Sequence, residues 1–279
     1  MNIGEPNRLA WVFHRIDVSG APVMLLAASA LQEYSIRATD RMIGTVADVL
    51  FDDRSWKIRW LVVDTGNWLP GRKVLIAPPF FSTLDIRARV LPVSLTQARV
   101  KASPSLSQDE PVSMQMQRSH QAYYGTDPDW GRTYFEGGLA GLPLPFQPLT
   151  GEARELAAEQ TGYGLEDSGD PDLQSTKAIT GYHIEATDGA IGHVSDLLLS
   201  DEEWGVRYLV VDTRNWWPGA HVLMSPYAVR SVDPGDKKIR LGVSQAQVRA
   251  SPPWNPAAMI ERAYETSLHR HYDWPGYGF

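Results

Sequence analysis

The stretch Leu61-Val62-Val63-Asp64-Thr65-Gly66-Asn67-Trp68-Leu69-Pro70-Gly71 returns later as Leu209-Val210-Val211-Asp212-Thr213-Arg214-Asn215-Trp216-Trp217-Pro218-Gly219. The offset, about 148 residues, holds in both directions from that stretch without a gap. Upstream, Ala38-Thr39-Asp40, Ile43-Gly44, Val46 and Asp48 fall on Ala186-Thr187-Asp188, Ile191-Gly192, Val194 and Asp196, and Trp56 and Arg59 fall on Trp204 and Arg207. Downstream, Gln97-Ala98 and Ala102-Ser103-Pro104 fall on Gln245-Ala246 and Ala250-Ser251-Pro252. Roughly 30 of the 68 positions from 37 to 104 are identical. A period this long marks a duplicated domain, not a solenoid, so each unit is expected to own a core.

Each unit reads as short strands. Met42 to Phe51 is rich in β-branched and apolar residues, and Gly44 marks a bulge or bend of the kind a small barrel needs. Asp52-Asp53-Arg54-Ser55 is a turn, and Trp56 to Val63 completes a hairpin. Lys73 to Ala77 and Arg89 to Val93 are further short strands, with a helical turn at Thr96 to Ala102. The expected fold is mainly β: two tandem small closed β-barrels, each followed by a short helical, aromatic tail. In the second tail Ile260, Tyr264, Leu268 and Tyr272 recur at helical spacing on one face.

The expected organisation is an extension over 1–23, a first unit over 24–130, a connector over 131–171 and a second unit over 172–279. The connector carries Gly137-Gly138, Pro143, Pro145, Pro148 and most of the acidity. It reads as a plain spacer, with the alternative of a strap that packs Leu142, Leu144 and Phe146 onto a barrel. Ala21 to Leu31 has the outline of a signal peptide, but Ala30-Leu31 falls on Ala178-Ile179 inside the chain, so the segment reads as a lead-in to the first unit. The ungapped register of the repeat predicts that no strand of one unit completes the other.

The net charge is −7, and neither unit has the basic surplus that phosphate backbones demand, so nucleic acid is disfavoured as a partner. Without cysteine, thiolate zinc sites and cysteine nucleophiles are excluded. Asp40 with Asp48, and Asp188 with Asp196, are repeated acids beside turns, and Asp64 and Asp212 end strands. Such positions suit turn formers or salt-bridge partners of Arg59 and Arg207 more than an acid–base pair. His269 and His271, two apart on a helix, diverge and do not make a metal site. The residues therefore nominate no catalytic, cofactor-binding or metal-ligating group, and the protein is expected not to be an enzyme.

The string Ala-Thr-Asp, Ile-Gly-x-Val-x-Asp, Trp-x-x-Arg-x-Leu-Val-Val-Asp-Thr, Trp-x-Pro-Gly, present twice, resembles the PRC-barrel, the cytoplasmic barrel of the photosynthetic reaction centre H subunit. A divergent relative of that barrel forms part of a ribosome maturation factor. The resemblance implies a β-barrel that binds other molecules. Asp40, Gly44, Asp48, Trp56, Arg59 and Asp64, with Asp188, Gly192, Asp196, Trp204, Arg207 and Asp212, are its structural residues. Trp56 and Trp204 are expected in the core and both arginines beside an acid. Candidate contact residues are Trp68, Leu69, Arg72, Trp216, Trp217, Tyr264 and Tyr272; an indole beside a rigid Pro-Gly turn either serves as a low-entropy anchor or closes one end of its barrel. The leading expectation is a non-catalytic adaptor without a cofactor, binding a protein partner as monomer or homodimer in the cytoplasm. The alternatives are a reaction-centre-like role at the cytoplasmic face of the inner membrane, against a membrane complex, and a ribosome or RNA-processing accessory role.

Overall fold

The computed structural model describes residues 22–104, 114–126, 172–213, 221–252 and 260–276, with the backbone of Val12–Ile16 and a few single positions beside them. The connector's Leu142, Leu144 and Phe146, and Trp216 and Trp217, lie outside the described residues.

The described chain is mainly β. Strands β1 (Val12–Ile16) and β2 (Pro22–Ala27) lead into the short helix α1 (Ala28–Leu31). The first unit follows as β3 (Ser35–Arg37), β4 (Met42–Asp52), β5 (Ile58–Asp64), β6 (Lys73–Ile76) and β7 (Val90–Pro92). It ends in helices α2 (Gln97–Lys101) and α3 (Met114–Tyr124). The same order then repeats as β8 (Leu173–Ser175), α4 (Thr176–Ile179), β9 (His183–Ala186), β10 (Gly189–Ser200), β11 (Gly205–Asp212), β12 (His221–Met224), β13 (Val229–Asp233), β14 (Lys238–Leu241), α5 (Gln245–Arg249) and α6 (Arg262–Tyr272).

Register is conserved between the units. Val46 pairs with Val63, and Asp48 with Val62, across a bulge; Val194 pairs with Val211, and Asp196 with Val210, across the same bulge. Gly44 and Gly192 sit at φ +148° and +147°. A Cβ on either would enter the van der Waals shell of the Asp64 or Asp212 carbonyl oxygen, so only glycine lets the strands approach there. β5 is buried from Ile58 to Val63. Ile58, Leu61 and Val63 face the main core, while Trp60 and Val62 join a smaller cluster that includes Leu50 and Leu75. A strand covered on both faces loses its polar alternation, which is why this stretch reads as an apolar run.

Two expectations are corrected. Among the described residues the sheets are not closed barrels: hydrogen-bonded strand order is open, from β6 through β5, β4 and β3 to β7 in the first unit. After β6 comes the 3₁₀ turn Pro78–Phe80, and its adjacent prolines bring no N–H groups to continue a ladder. Single bridges, Phe81 to Val93 and Asp85 to Val90, stand in for a continuous pairing.

The second correction concerns independence. β2 pairs with β10 of the second unit (Leu25 with Ser200, Leu26 with Leu199, Ala27 with Leu198), and β8 pairs with β4 of the first (Leu173 with Asp52, Gln174 with Phe51, Ser175 with Leu50). Each unit's lead-in strand thus completes the other's sheet, residue for equivalent residue. The exchange places Leu25, Leu26, Ala27 and Ala28 in the buried core, so the apolar lead-in is core material.

Candidate functional site

The exchange creates a junction, and the repeated acids Asp48 and Asp196 are spent on it. Asp48 receives the Ser175 hydroxyl at 2.5 Å, the Thr176 hydroxyl at 3.2 Å and the Lys177 N–H at 3.4 Å. Asp196 receives the Ser29 hydroxyl and, at 3.3 Å, the Ser29 N–H. Each carboxylate therefore holds the first turn of the other unit's short helix, where unpaired N–H groups favour an anion. Burial pushes the Asp196 carboxyl up, against the bonds from Ser29 that hold it down.

Closer to the pseudo-two-fold axis, Trp56 and Trp204 adopt the left-handed conformation, with φ 57° and 47°. This is costly for a bulky residue, and here it aims each carbonyl across the junction. The Val206 N–H donates to Trp56 O and the Ile58 N–H to Trp204 O, both at 2.7 Å. Asp53 N–H donates to Asp172 O at 2.9 Å, and Asp201 N–H to Met24 O at 3.2 Å. Lys57 and Glu203 add an ion pair at 2.5 Å. Trp56 is core as expected; Trp204 is half-buried and packs on it.

The other repeated acids hold local structure. Asp40 accepts from the Gln97 N–H at 2.9 Å and Asp188 from the Gln245 N–H at 2.7 Å, at the starts of α2 and α5. Asp64 accepts from Gly66 N–H at 2.8 Å, while buried Asp212 lies 3.9 Å from His193. Arg207 meets its acid in Glu265 of α6, 3.5 Å away and fully buried. The equivalents of that pair are Arg59 and Gln117, so the first unit has an amide where the second has a carboxylate.

The contact candidates that fall on described residues are all engaged within the chain. Trp68 is half-buried and donates its indole N–H to Ile43 O at 2.7 Å, so it closes one end of its unit. Leu69 lies half-buried beside it, its carbonyl accepting from the Thr65 hydroxyl. Arg72 reaches the carbonyls of Lys101 and Ser103 at the end of α2, where a cation complements the helix terminus. Tyr272 is buried and Tyr264 half-buried, and burial pushes the Tyr272 phenol up to about 12.

Each tail helix docks on its own unit, and the two docks correspond. Trp60 Nε1 donates to Gln117 Oε1 at 3.0 Å; Tyr208 Oη donates to Glu265 Oε1 at 2.9 Å. Tyr123 bonds Arg99 O and His271 bonds Gln247 O, both at 2.8 Å. The α3–α6 correspondence escaped sequence comparison because the roles are kept while the residue types change.

A concavity also lies at the junction. A cleft of about 540 Å³ is lined by Asp53, Asp172, Trp56, Tyr227, Val229 and Arg230, among others. Burial, and then the adjacent Asp172 carboxylate, push the Asp53 carboxyl up to about 6, partly offset by the Gln174 amide bond. Among the described residues no group of three or more His, Asp or Glu side chains is placed to hold a metal ion.

Residues 25–95 match the family model of the PRC-barrel domain. The matched span starts at Leu25, so the PRC-barrel domain includes the strand that this chain lends to the other unit. No curated protein matches the chain. Among the described residues no helix is long and apolar enough to cross a membrane.

Proposed function

We propose that the chain is a non-catalytic binding adaptor built from two PRC-barrels, the second being the unit over 172–279. One observation carries this reading: Asp40, Asp48, Asp64, Asp188 and Asp196, five of the acids repeated in both units, accept hydrogen bonds from backbone N–H groups. A carboxylate tied to the backbone in this way is spent on holding a turn or a helix start and is not free to swing to a substrate, as a general acid or base must. The conserved pairing of the second sheet supports its reading as a further barrel.

The test is co-purification of the full chain at native expression level, with the recovered partner quantified. A stoichiometric protein partner, retained after gel filtration, is the expected result. Recovery of the chain alone, together with a turnover that one side-chain substitution abolishes, would overturn the adaptor reading.

A further inference from the structure

The two sides of the junction are built from equivalent residues, yet one is filled and the other is open. On the filled side, Phe81 packs edge-on against Trp204, with ring centroids 4.6 Å apart. The equivalent of Phe81 is Val229 and that of Trp204 is Trp56, and these two line the cleft of about 540 Å³. Trp56 instead stacks on Phe51 of its own unit at 5.3 Å, and the position equivalent to Phe51 is Leu199. Substitutions at two positions thus turn the Trp56 indole away and vacate its side of the junction.

The polar residues change together with the volume. Met24 and Ser82 on the filled side are replaced by Asp172 and Arg230 at the cleft, and Glu202 by Arg54. Asp53 and Asp172 stand inside, part-buried; Arg230 is exposed at the rim. Arg54 reaches Asp172 at 3.1 Å, but its own side chain is 78% exposed and can swing outward. Apolar Val229, Val232 and Pro226 form the remaining wall. An acidic interior with a basic rim and an apolar wall suits a ligand that carries both charges on one small body. A cleft of this size at a junction of two units is in the range that holds small molecules.

We propose that this cleft is a binding site for a small zwitterion of the amino-acid class. Its ammonium group lies between Asp53 and Asp172, its carboxylate meets Arg230, and its side chain rests on Val229 and Val232, beside the Trp56 that lines the cleft. The ammonium relieves the repulsion between two carboxylates held close by the backbone bond from Asp53 to Asp172. This site goes beyond the adaptor reading and does not depend on it.

Isothermal titration of the full chain with L-tryptophan, tryptamine and indole-3-propionate tests the assignment. L-tryptophan is expected to bind, and each probe lacking one charge to bind at least about tenfold more weakly. Val229→Phe, which installs the residue of the filled side, is expected to abolish binding with an unchanged melting temperature. Asp53→Asn, a substitution that keeps shape, is expected to weaken binding by about tenfold or more, which keeps the test informative if the phenylalanine variant misfolds. Absence of saturable heat with both L-tryptophan and the smaller L-leucine overturns the proposal. So does equal affinity for tryptamine, or unaltered binding by a folded Val229→Phe protein.

Discussion

Arg207 lies in the apolar strand β11 with only 2% of its side chain exposed, and its ionic partner Glu265 is fully buried. Removing one member of such a pair strands the other's charge, whereas removing both can be close to neutral. Arg207→Met is expected to destabilise the chain by about 3–5 kcal/mol. Adding Glu265→Gln, the amide that the first unit carries at Gln117, should recover at least half of that loss. Urea denaturation of the two variants checks this, and a single mutant as stable as the parent would show that no buried ion pair operates. The left-handed Trp56 and Trp204 belong to this scale too: a Trp at that turn was legible in the sequence, but its φ was not. The strained backbone follows from carbonyl bonds made to residues almost 150 positions away.

Helix α3 shows how an element can be held conditionally. Its His120 is fully buried beside Trp60 and Tyr124, and neither ring nitrogen has a partner among the described residues. Burial, with the nearby Arg72 cation, pulls its pKa from 6.5 down to about 4. The folded state therefore resists a proton that the unfolded chain accepts below about pH 6.5. Stability is full above that pH and falls as pH drops toward 4, by up to about 3 kcal/mol. Asp53 works in the opposite sense, since its folded pKa is raised and its contribution is lost as pH rises through about 6. Comparing the parent with His120→Leu at pH 7 and pH 4.5 isolates the histidine. The parent should lose more stability between the two than the variant, and parallel pH profiles would rule this origin out. That a tail helix follows each unit could be read from aromatic spacing. Which unit each tail covers could not, because an apolar face fits any apolar surface and its partner is chosen by chain path.

At the scale of the whole molecule, reciprocal strand exchange makes one body of two units. Its bonds cross between the units at β2–β10, at β8–β4 and at the paired Trp carbonyls, and none of these needs the connector to be intact. Cutting the chain within 131–171 is expected to leave two halves that co-elute at the parent's size on gel filtration, and separation of the halves in native buffer would refute the exchange. The cleft at Trp56 also belongs to this scale, since it is lined from both units. It was not nominated from the sequence, where Val229 against Phe81 and Asp172 against Met24 are two among many differences between the units.

By itself the sequence determined that there are two like units, where their strands and turns fall, and which glycines let β4 and β10 bend. Those features depend on local backbone preference and on burial, and both are written in residue type at each position. It also marked Leu25 and Leu26 as apolar and in need of cover. The tertiary structure alone decided whose sheet covers them. In a duplicated chain β2 meets nearly the same edge on either unit, Leu50 to Asp52 or Leu198 to Ser200, so sequence preference for the two pairings is nearly equal. The balance is tipped by the path of the chain through α1 and α4; the equivalent Asp48 and Asp196 carboxylates hold those helices from across the junction without favouring either pairing.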